Sequence, residues 1–376
     1  MKTALCDRLG MTVPLFAFTR SPRVVVEVSR AGGMGVLGVI ATDAATLEAD
    51  LDWIDAHIDG KPYGVDVVIP AQHVSGSGPM GSSEDLAALL PPEHVRFVDG
   101  LLARYGVPPL PPEVTAHEAL KAWTDAASRD QVEIALRHPI KLLANALGPP
   151  PPEVITRCHD RGVLVAALIG SARHAAKQKE AGVDVIVAQG TEAGGHCGEI
   201  STFVLVPEVV DAVGDTAVLA AGGIGTGRQM AAALALGAQG VWTGSIWLTV
   251  AEALTPPILR DKLLAATSAD TVRSRAISGK PARQLKTAWS DSWDDRASPG
   301  PLPMPLQFML TAEAVARLYH AAERGLDNPL LTSPVGQIVG AMNEVRTTAE
   351  VMADLVAGCD AAIRRLNALG TARATG

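Results

Sequence analysis

The sequence predicts an α/β fold: a (β/α)8 barrel with a helical insertion after its third strand and a helical C-terminal extension. Three observations carry that expectation. Short apolar runs rich in β-branched residues alternate with helical segments, giving eight strand–helix units between Leu15 and Ile246. The last three runs end in glycines, at Gln189–Gly198 (QGTEAGGHCG), Gly222–Gly227 (GGIGTG) and Thr243–Ser245 (TGS). Barrels of this class gather their chemistry at the C-terminal strand ends, so three consecutive glycine-rich ends point to one site. A doubly wound sheet is the alternative arrangement of the same pattern.

Taken in order, Leu15–Phe18 is the first strand. Pro22–Ala31 reads as a helix with a proline start and a Gly32-Gly33 stop. Strand two is 35–40, an amphipathic helix covers Asp43–Ile58, and strand three is Tyr63–Ile69. The alternation lapses over 71–138, where GSGPMGSS, PPEH and VPPLPPE interrupt helical pieces; this is too long for an ordinary connection and reads as a helical insertion or lid. Strand four is 140–146, followed by a helix to Arg161; strand five is Val163–Ile169, with a helix capped by Ser171 and stopped by Gly182. Strand six is Val183–Gln189, with Val206–Val213 as the helix behind it. Strand seven is Ala217–Ala221, its helix Gly227–Leu236, and strand eight Gly240–Thr243. The expected division is therefore a barrel from 1–70 and 139–250, the insertion at 71–138, and a helical segment at 251–376 packing on the barrel.

Composition narrows the function. A chain of 376 residues with 48% hydrophobic and 19% charged residues has enough apolar surface for a large core. The net charge of −8 argues against a nucleic-acid or anionic-membrane surface. No apolar run reaches membrane length, and the first residues carry no signal-peptide h-region, so a cytoplasmic protein is expected. Four scattered cysteines, with no CxxC, fit free thiols in a reducing compartment.

At the glycine ends, backbone N–H groups converge readily on an anion, and Gly222-Gly223 with Thr243-Gly244-Ser245 read as a phosphate cradle. His196 follows strand six within a glycine loop that also holds Gly194 and Gly195, where an imidazole serves as a proton acceptor near neutral pH. Cys197 is adjacent, but neighbours on an extended loop point apart, which argues against a Cys–His pair. Glu192 is a candidate to orient the loop or the imidazole, and Glu199 reads as a solvated charge. No HxH, HExxH or carboxylate cluster points to a metal.

These residues, AQGTEAGGHCG, VLAAGGIGTGRQMAAALALGAQGVWTGSIWL and SRAGGMGVLG, closely resemble the nitronate monooxygenases, formerly called 2-nitropropane dioxygenases. That family also includes FMN-dependent enoyl-thioester reductases of the bacterial fatty-acid type. The resemblance runs from about Leu9 to Leu248 outside the insertion, and returns at Ser278–Arg283 (SGKPAR) and Ser333–Val339 (SPVGQIV). It implies a TIM-barrel flavoprotein with FMN phosphate on Gly222-Gly223 and Thr243-Gly244-Ser245. Gln189 matches the flavin-contacting position at the end of strand six, and His196 matches the base toward neutral nitroalkanes. Two positions depart from the family pattern. The first-strand turn reads Phe16-Ala17-Phe18-Thr19, placing Ala17, Phe18 and Thr19 where the family meets the flavin ring, and Asp66 replaces the asparagine of GVN.

The resemblance implies oxidation of alkyl nitronates by O2 to a carbonyl compound and nitrite. The alternatives are an NAD(P)H-dependent flavin reductase of an enoyl or related acyl-CoA thioester and, from another class, a non-redox lyase or isomerase of a phosphorylated metabolite. The oligomeric state is left open.

Overall fold

Eight parallel strands close on themselves in the computed structural model, which describes residues 2–39, 42–69, 89–112, 114, 125–145 and 148–371. In chain order they begin with β1 (Leu15–Thr19), β2 (Met34–Gly38), β3 (Tyr63–Val67), β4 (Leu142–Asn145), β5 (Leu164–Ile169) and β6 (Val185–Gln189). A two-residue strand outside the barrel, β7 (Gly195–His196), precedes β8 (Ala217–Ala221) and β9 (Gly240–Thr243). The barrel closes where β9 pairs with β1, Ala17 opposite Thr243. The eight barrel strands fall where the apolar runs predict them, with only small shifts at the described ends.

Period-two alternation sorts each strand into a lumen face and an outer face. Phe16, Val36, Leu142, Ala166, Val187 and Leu219 fill the lumen, and Phe16 stacks on Trp242 at 6.3 Å. Leu15, Ala17, Tyr63, Val65 and Val67 face outward into the helix layer. The N-terminal end of the lumen is plugged by a helix at Ala4–Leu9, whose Leu5, Cys6 and Leu9 join the lumen cluster. Gln239 holds that plug, its carbonyl accepting from Thr3 Oγ1 at 2.8 Å and its amide oxygen from Leu5 N at 3.0 Å. Nothing in the sequence marks the plug as a barrel element.

The outer layer differs from the expected division in two places. Helix Asp125–Ala135 packs on helix Ala44–His57 and on β3, and Gln131 Nε2 donates to the carbonyls of Val39 and Thr42. It is the barrel helix between β3 and β4, so the insertion expected at 71–138 ends before Asp125. The residues of that insertion at 71–88, 113 and 115–124 lie outside the described residues. The second difference concerns 251–376, expected as a helical addition. Its last helix, Thr348–Thr371, packs between helices Gly227–Ala235 and Pro22–Arg30, which is the place of the eighth barrel helix. A Cβ on Gly227 would stand 2.2 Å from Cys359 N, so only glycine lets the two backbones approach this closely.

Between β9 and that helix the chain makes a long excursion whose ends meet. Ala251 N donates to Arg346 O at 2.9 Å, and the Glu252 carboxylate accepts from Thr348 N and Oγ1. The excursion is not wholly helical: β10 (Thr271–Ser274) and β11 (Ala282–Leu285) join β7 in a three-stranded antiparallel sheet. Helix Leu306–Glu323 of the excursion packs on helix Pro92–Arg104 of the insertion. Arg317 donates to the carbonyls of Val107 and Pro108, and Asn328 Nδ2 to Tyr105 O. Both departures from a minimal barrel thus leave from C-terminal strand ends and pack on each other. Among the described residues no helix is long and apolar enough to cross a membrane.

Candidate active site

The three glycine-rich ends do converge. Gly222 and Gly223 adopt positive φ, +104° and +68°, directly after β8. A Cβ on Gly222 would crowd Thr202 Oγ1, Ala193 N and Gly190 O, so this glycine lets the β8 end pack on the β6 loop. Gly223 is more open, with only Glu192 nearby. After β9 the backbone turns into a short 3-10 helix at Ser245–Trp247. Among the described residues, no acceptor stands against the N–H of Gly223, Gly244 or Ser245. These free donors on adjacent strand ends suit an anion. The N–H groups of Gly225 and Thr226, just before helix Gly227–Ala235, do not add to them, because Gln229 Oε1 already accepts from both.

The excursion clamps this cradle. Gly336 N donates to Ser245 Oγ at 2.8 Å, and Gln337 N to Glu192 O at 2.9 Å. The Glu192 side chain accepts from Thr202 N and Oγ1, and so orients the loop, not the imidazole. Gly194 is required by this clamp, since a Cβ would meet Val335 and Gly336 at 2.8 Å; Gly195, at φ +75°, faces open space.

His196 lies on β7 instead of in a free loop, opposite Ala282 of β11. Its Nε2 stands 2.7 Å from Ser278 Oγ, and that hydroxyl donates to Lys280 O at 3.3 Å. In the tautomer where Nε2–H donates to Ser278, the serine passes its own proton to Lys280 O and the ring's lone pair lies on Nδ1. Burial, with a smaller contribution from the Lys280 charge, lowers the imidazole pKa to about 4, so the ring is neutral at neutral pH. Arg283, beside Ala282 on β11, fastens the β6 loop by donating to Thr191 O at 2.7 Å and to Thr271 Oγ1. Cys197 points to Thr191 O, with a thiol pKa raised by burial, so it forms no pair with His196. Glu199 is paired with Arg273 at 2.9 Å.

Not every expected contact residue reaches the mouth. Ala17 is fully buried toward the helices, and Thr19 Oγ1 accepts from Ser21 N in the turn after β1. Their side chains are structural, because odd-numbered positions of β1 face outward. Thr243 is committed as well, its hydroxyl donating to Phe16 O and accepting from Trp247 Nε1. Phe18 alone of the first-strand trio faces the lumen; its ring covers Gly38, where a Cβ would stand 2.6 Å from Cε2. Gln189 ends β6 on the lumen face, half-buried, with no hydrogen-bond partner for its amide among the described residues. Asp66 occupies the lumen face of β3, 3% exposed, with Oδ1 unpartnered. Burial without a nearby cation raises its carboxyl pKa to about 7.

Sequence reasoning misses the individual roles of Ser278, Lys280 and Arg283, although all three sit within the SGKPAR segment that carries part of the resemblance. The signal is present, but their proximity to His196 depends on a sheet that joins segments far apart in the chain.

A closed parallel barrel with a free-donor cradle at its seventh and eighth barrel strands, and a desolvated imidazole in the segment that follows its sixth, is an α/β-barrel enzyme. The chain belongs to the nitronate monooxygenase family, whose model, described as "Nitronate monooxygenase", matches residues 11–358. It is 50% identical over 359 residues to the Mycobacterium tuberculosis protein named "Putative monooxygenase Rv1533", covering 95% of this chain and 96% of that one. It is 29% identical to a "Probable nitronate monooxygenase" of Staphylococcus aureus over 83% of this chain and 85% of that one. Among solved structures, nitroalkane oxidase from Streptomyces ansochromogenes superposes with TM-score 0.78 at 25% identity, over 97% of this chain and 100% of that one. FabK from Thermotoga maritima gives TM-score 0.73 at 25% identity, over 98% and 99%. The chain is an oxidoreductase acting on a small molecule. The family match ends within the last helix, consistent with that helix being part of the barrel.

Proposed function

We propose that the protein binds FMN at the barrel mouth and oxidises alkyl nitronates with O2, yielding a carbonyl compound and nitrite. The observation that carries this reading is the neutral imidazole of His196, held by Ser278 in the segment that follows the sixth barrel strand. The chain fits the cofactor on its own terms. The free N–H groups of Gly223, Gly244 and Ser245 suit a phosphate, and the orphaned groups of Gln189 and Asp66 offer hydrogen bonds to a polar ring. When bound, FMN supplies the electron transfer from substrate and onward to O2.

The chain's own contribution is positioning and one proton. A neutral nitroalkane gives its α-proton to His196 Nδ1 while Ser278 holds the ring. The desolvation that makes the free imidazolium unfavourable is offset once it faces the newly formed nitronate anion. A preformed nitronate skips this step. Phe18 closes the lumen below the site and keeps water from entering from the barrel side.

The experiment is a visible spectrum of the purified protein, followed by anaerobic addition of a nitronate and, separately, of NADH and NADPH. A yellow protein bleached by nitronate and not by nicotinamide is the expected result. Bleaching by nicotinamide alone moves the reading to the thioester reductase. A colourless protein that does not take up FMN overturns it in favour of a phosphorylated-metabolite barrel.

A further inference from the structure

We propose that Glu48, Asp52 and His138 Nε2 form a binding site for a divalent first-row cation on the outer face of the barrel, away from the mouth. Glu48 and Asp52 lie four residues apart on helix Ala44–His57, so both carboxylates share one helical face. His138 follows helix Asp125–Ala135 and turns its ring toward that face. One ligand atom from each of the three residues lies within 4.8 Å of the other two. Ligands on a tetrahedral zinc stand roughly 3.4 Å apart at ordinary bond lengths of about 2.0–2.2 Å. Closing the set therefore needs the ligand atoms to approach by at most about 1.4 Å, within reach of the exposed Asp52.

The acidic pair alone would argue little; the state of His138 argues more. Its side chain is 6% exposed, and its Nδ1 is 2.7 Å from Asp55 Oδ2. Asp55 is itself fixed by the Tyr63 hydroxyl, which donates to Oδ1 at 2.6 Å. A carboxylate accepting at Nδ1 places the proton there and leaves a lone pair on Nε2, the arrangement that commonly orients a metal-bound histidine. That Nε2 is buried without a hydrogen-bond partner, and a carboxylate oxygen, Glu48 Oε1, stands 3.8 Å away. A bare acceptor buried against an acceptor is unfavourable until a cation stands between them. Glu48 can supply Oε1 because its other oxygen, Oε2, is engaged by Arg137. Three carboxylates, from Glu48, Asp52 and Asp55, face one guanidinium, from Arg137, so a dication neutralises the group. A nitrogen ligand with two oxygens favours zinc over magnesium, which takes oxygen ligands.

The test is calorimetric titration of Zn2+ into chelator-treated, full-length protein, with Mg2+ as the comparison. One saturable Zn2+ site per chain is expected, with about a tenfold or greater loss of affinity in Asp52→Asn. Asp52 makes none of the contacts that anchor His138, so this variant leaves the local fold intact. His138→Gln is expected to abolish the site, with the thermal midpoint of the metal-free variant confirming that it folds. Absence of a saturable site in the wild type overturns the proposal, as does unchanged affinity in Asp52→Asn and Glu48→Gln.

Discussion

Asp66 makes the sharpest prediction, because a carboxyl in the barrel lumen with an orphaned oxygen has a calculable effect on stability. Its pKa rises from 3.8 to about 7 on folding. A folded pKa above the unfolded one means the stabilisation is complete below about pH 3.8 and is lost as pH rises through about 7. An asparagine at this position mimics the neutral acid at every pH, so Asp66→Asn should gain stability over the wild type as pH rises. Between about pH 5 and pH 7 the unfolded chain is already ionised while the folded acid still holds its proton. That interval of about two units corresponds to about 2.7 kcal/mol at roughly 1.36 kcal/mol per unit. For a chain of this length, unfolding entropy of about 2.1 cal/mol/K per residue converts that to roughly 3–4 °C in Tm. The assay is differential scanning fluorimetry of flavin-free protein at about pH 5 and pH 8. The Asp66→Asn minus wild-type difference should be larger at the higher pH by that amount. An equal difference at both pH values, or a loss at the higher one, would refute the assignment of a neutral buried acid.

The remaining predictions concern the mouth and the barrel wall. His196→Ala should lose roughly a hundredfold or more in rate with neutral nitroalkane and much less with preformed nitronate, measured as O2 uptake; equal losses would remove the base assignment. Because burial lowers the His196 pKa to about 4, the acid limb of the nitroalkane rate should lie well below pH 6.5 in the wild type. Ser278→Ala should reduce the same rate while sparing nitronate turnover. Gly223→Val should release flavin, read as absorbance after gel filtration, because the position has φ +68° and its N–H is one of the free donors. Gly227→Val, remote from the mouth, should lower Tm by several degrees or prevent folding, since its Cβ would meet the backbone of the last helix at 2.2 Å.

The barrel is legible because buried parallel strands write themselves as short β-branched runs, and β8 and β9 begin and end where the sequence places them. The glycine ends are legible for a related reason, since backbone approach needs residues without Cβ. Other features depend on partners far along the chain. TVRS and ARQL are too short and polar to announce β10 and β11, which become strands by pairing with each other and with His196. Helix Asp125–Ala135 merges with the insertion in the sequence because the lapse before it hides the resumed pattern. The parity of β1, which turns Ala17 and Thr19 outward, is available in principle from the alternation of Phe16 and Phe18.

The eighth helix has a consequence for how this chain assembles. The seam of the barrel, where β9 meets β1, is covered by residues that begin at Thr348, long after β9 is complete at Thr243. The excursion between them carries Ser278, Arg283 and the clamp at Gly336. A ribosome therefore delivers the residues that furnish the mouth before the helix that seals the wall, and a fragment ending near Leu248 exposes an uncovered seam. Truncation beyond Leu248 therefore uncovers the barrel seam and removes the Ser278, Arg283 and Gly336 contacts at the mouth in the same stroke.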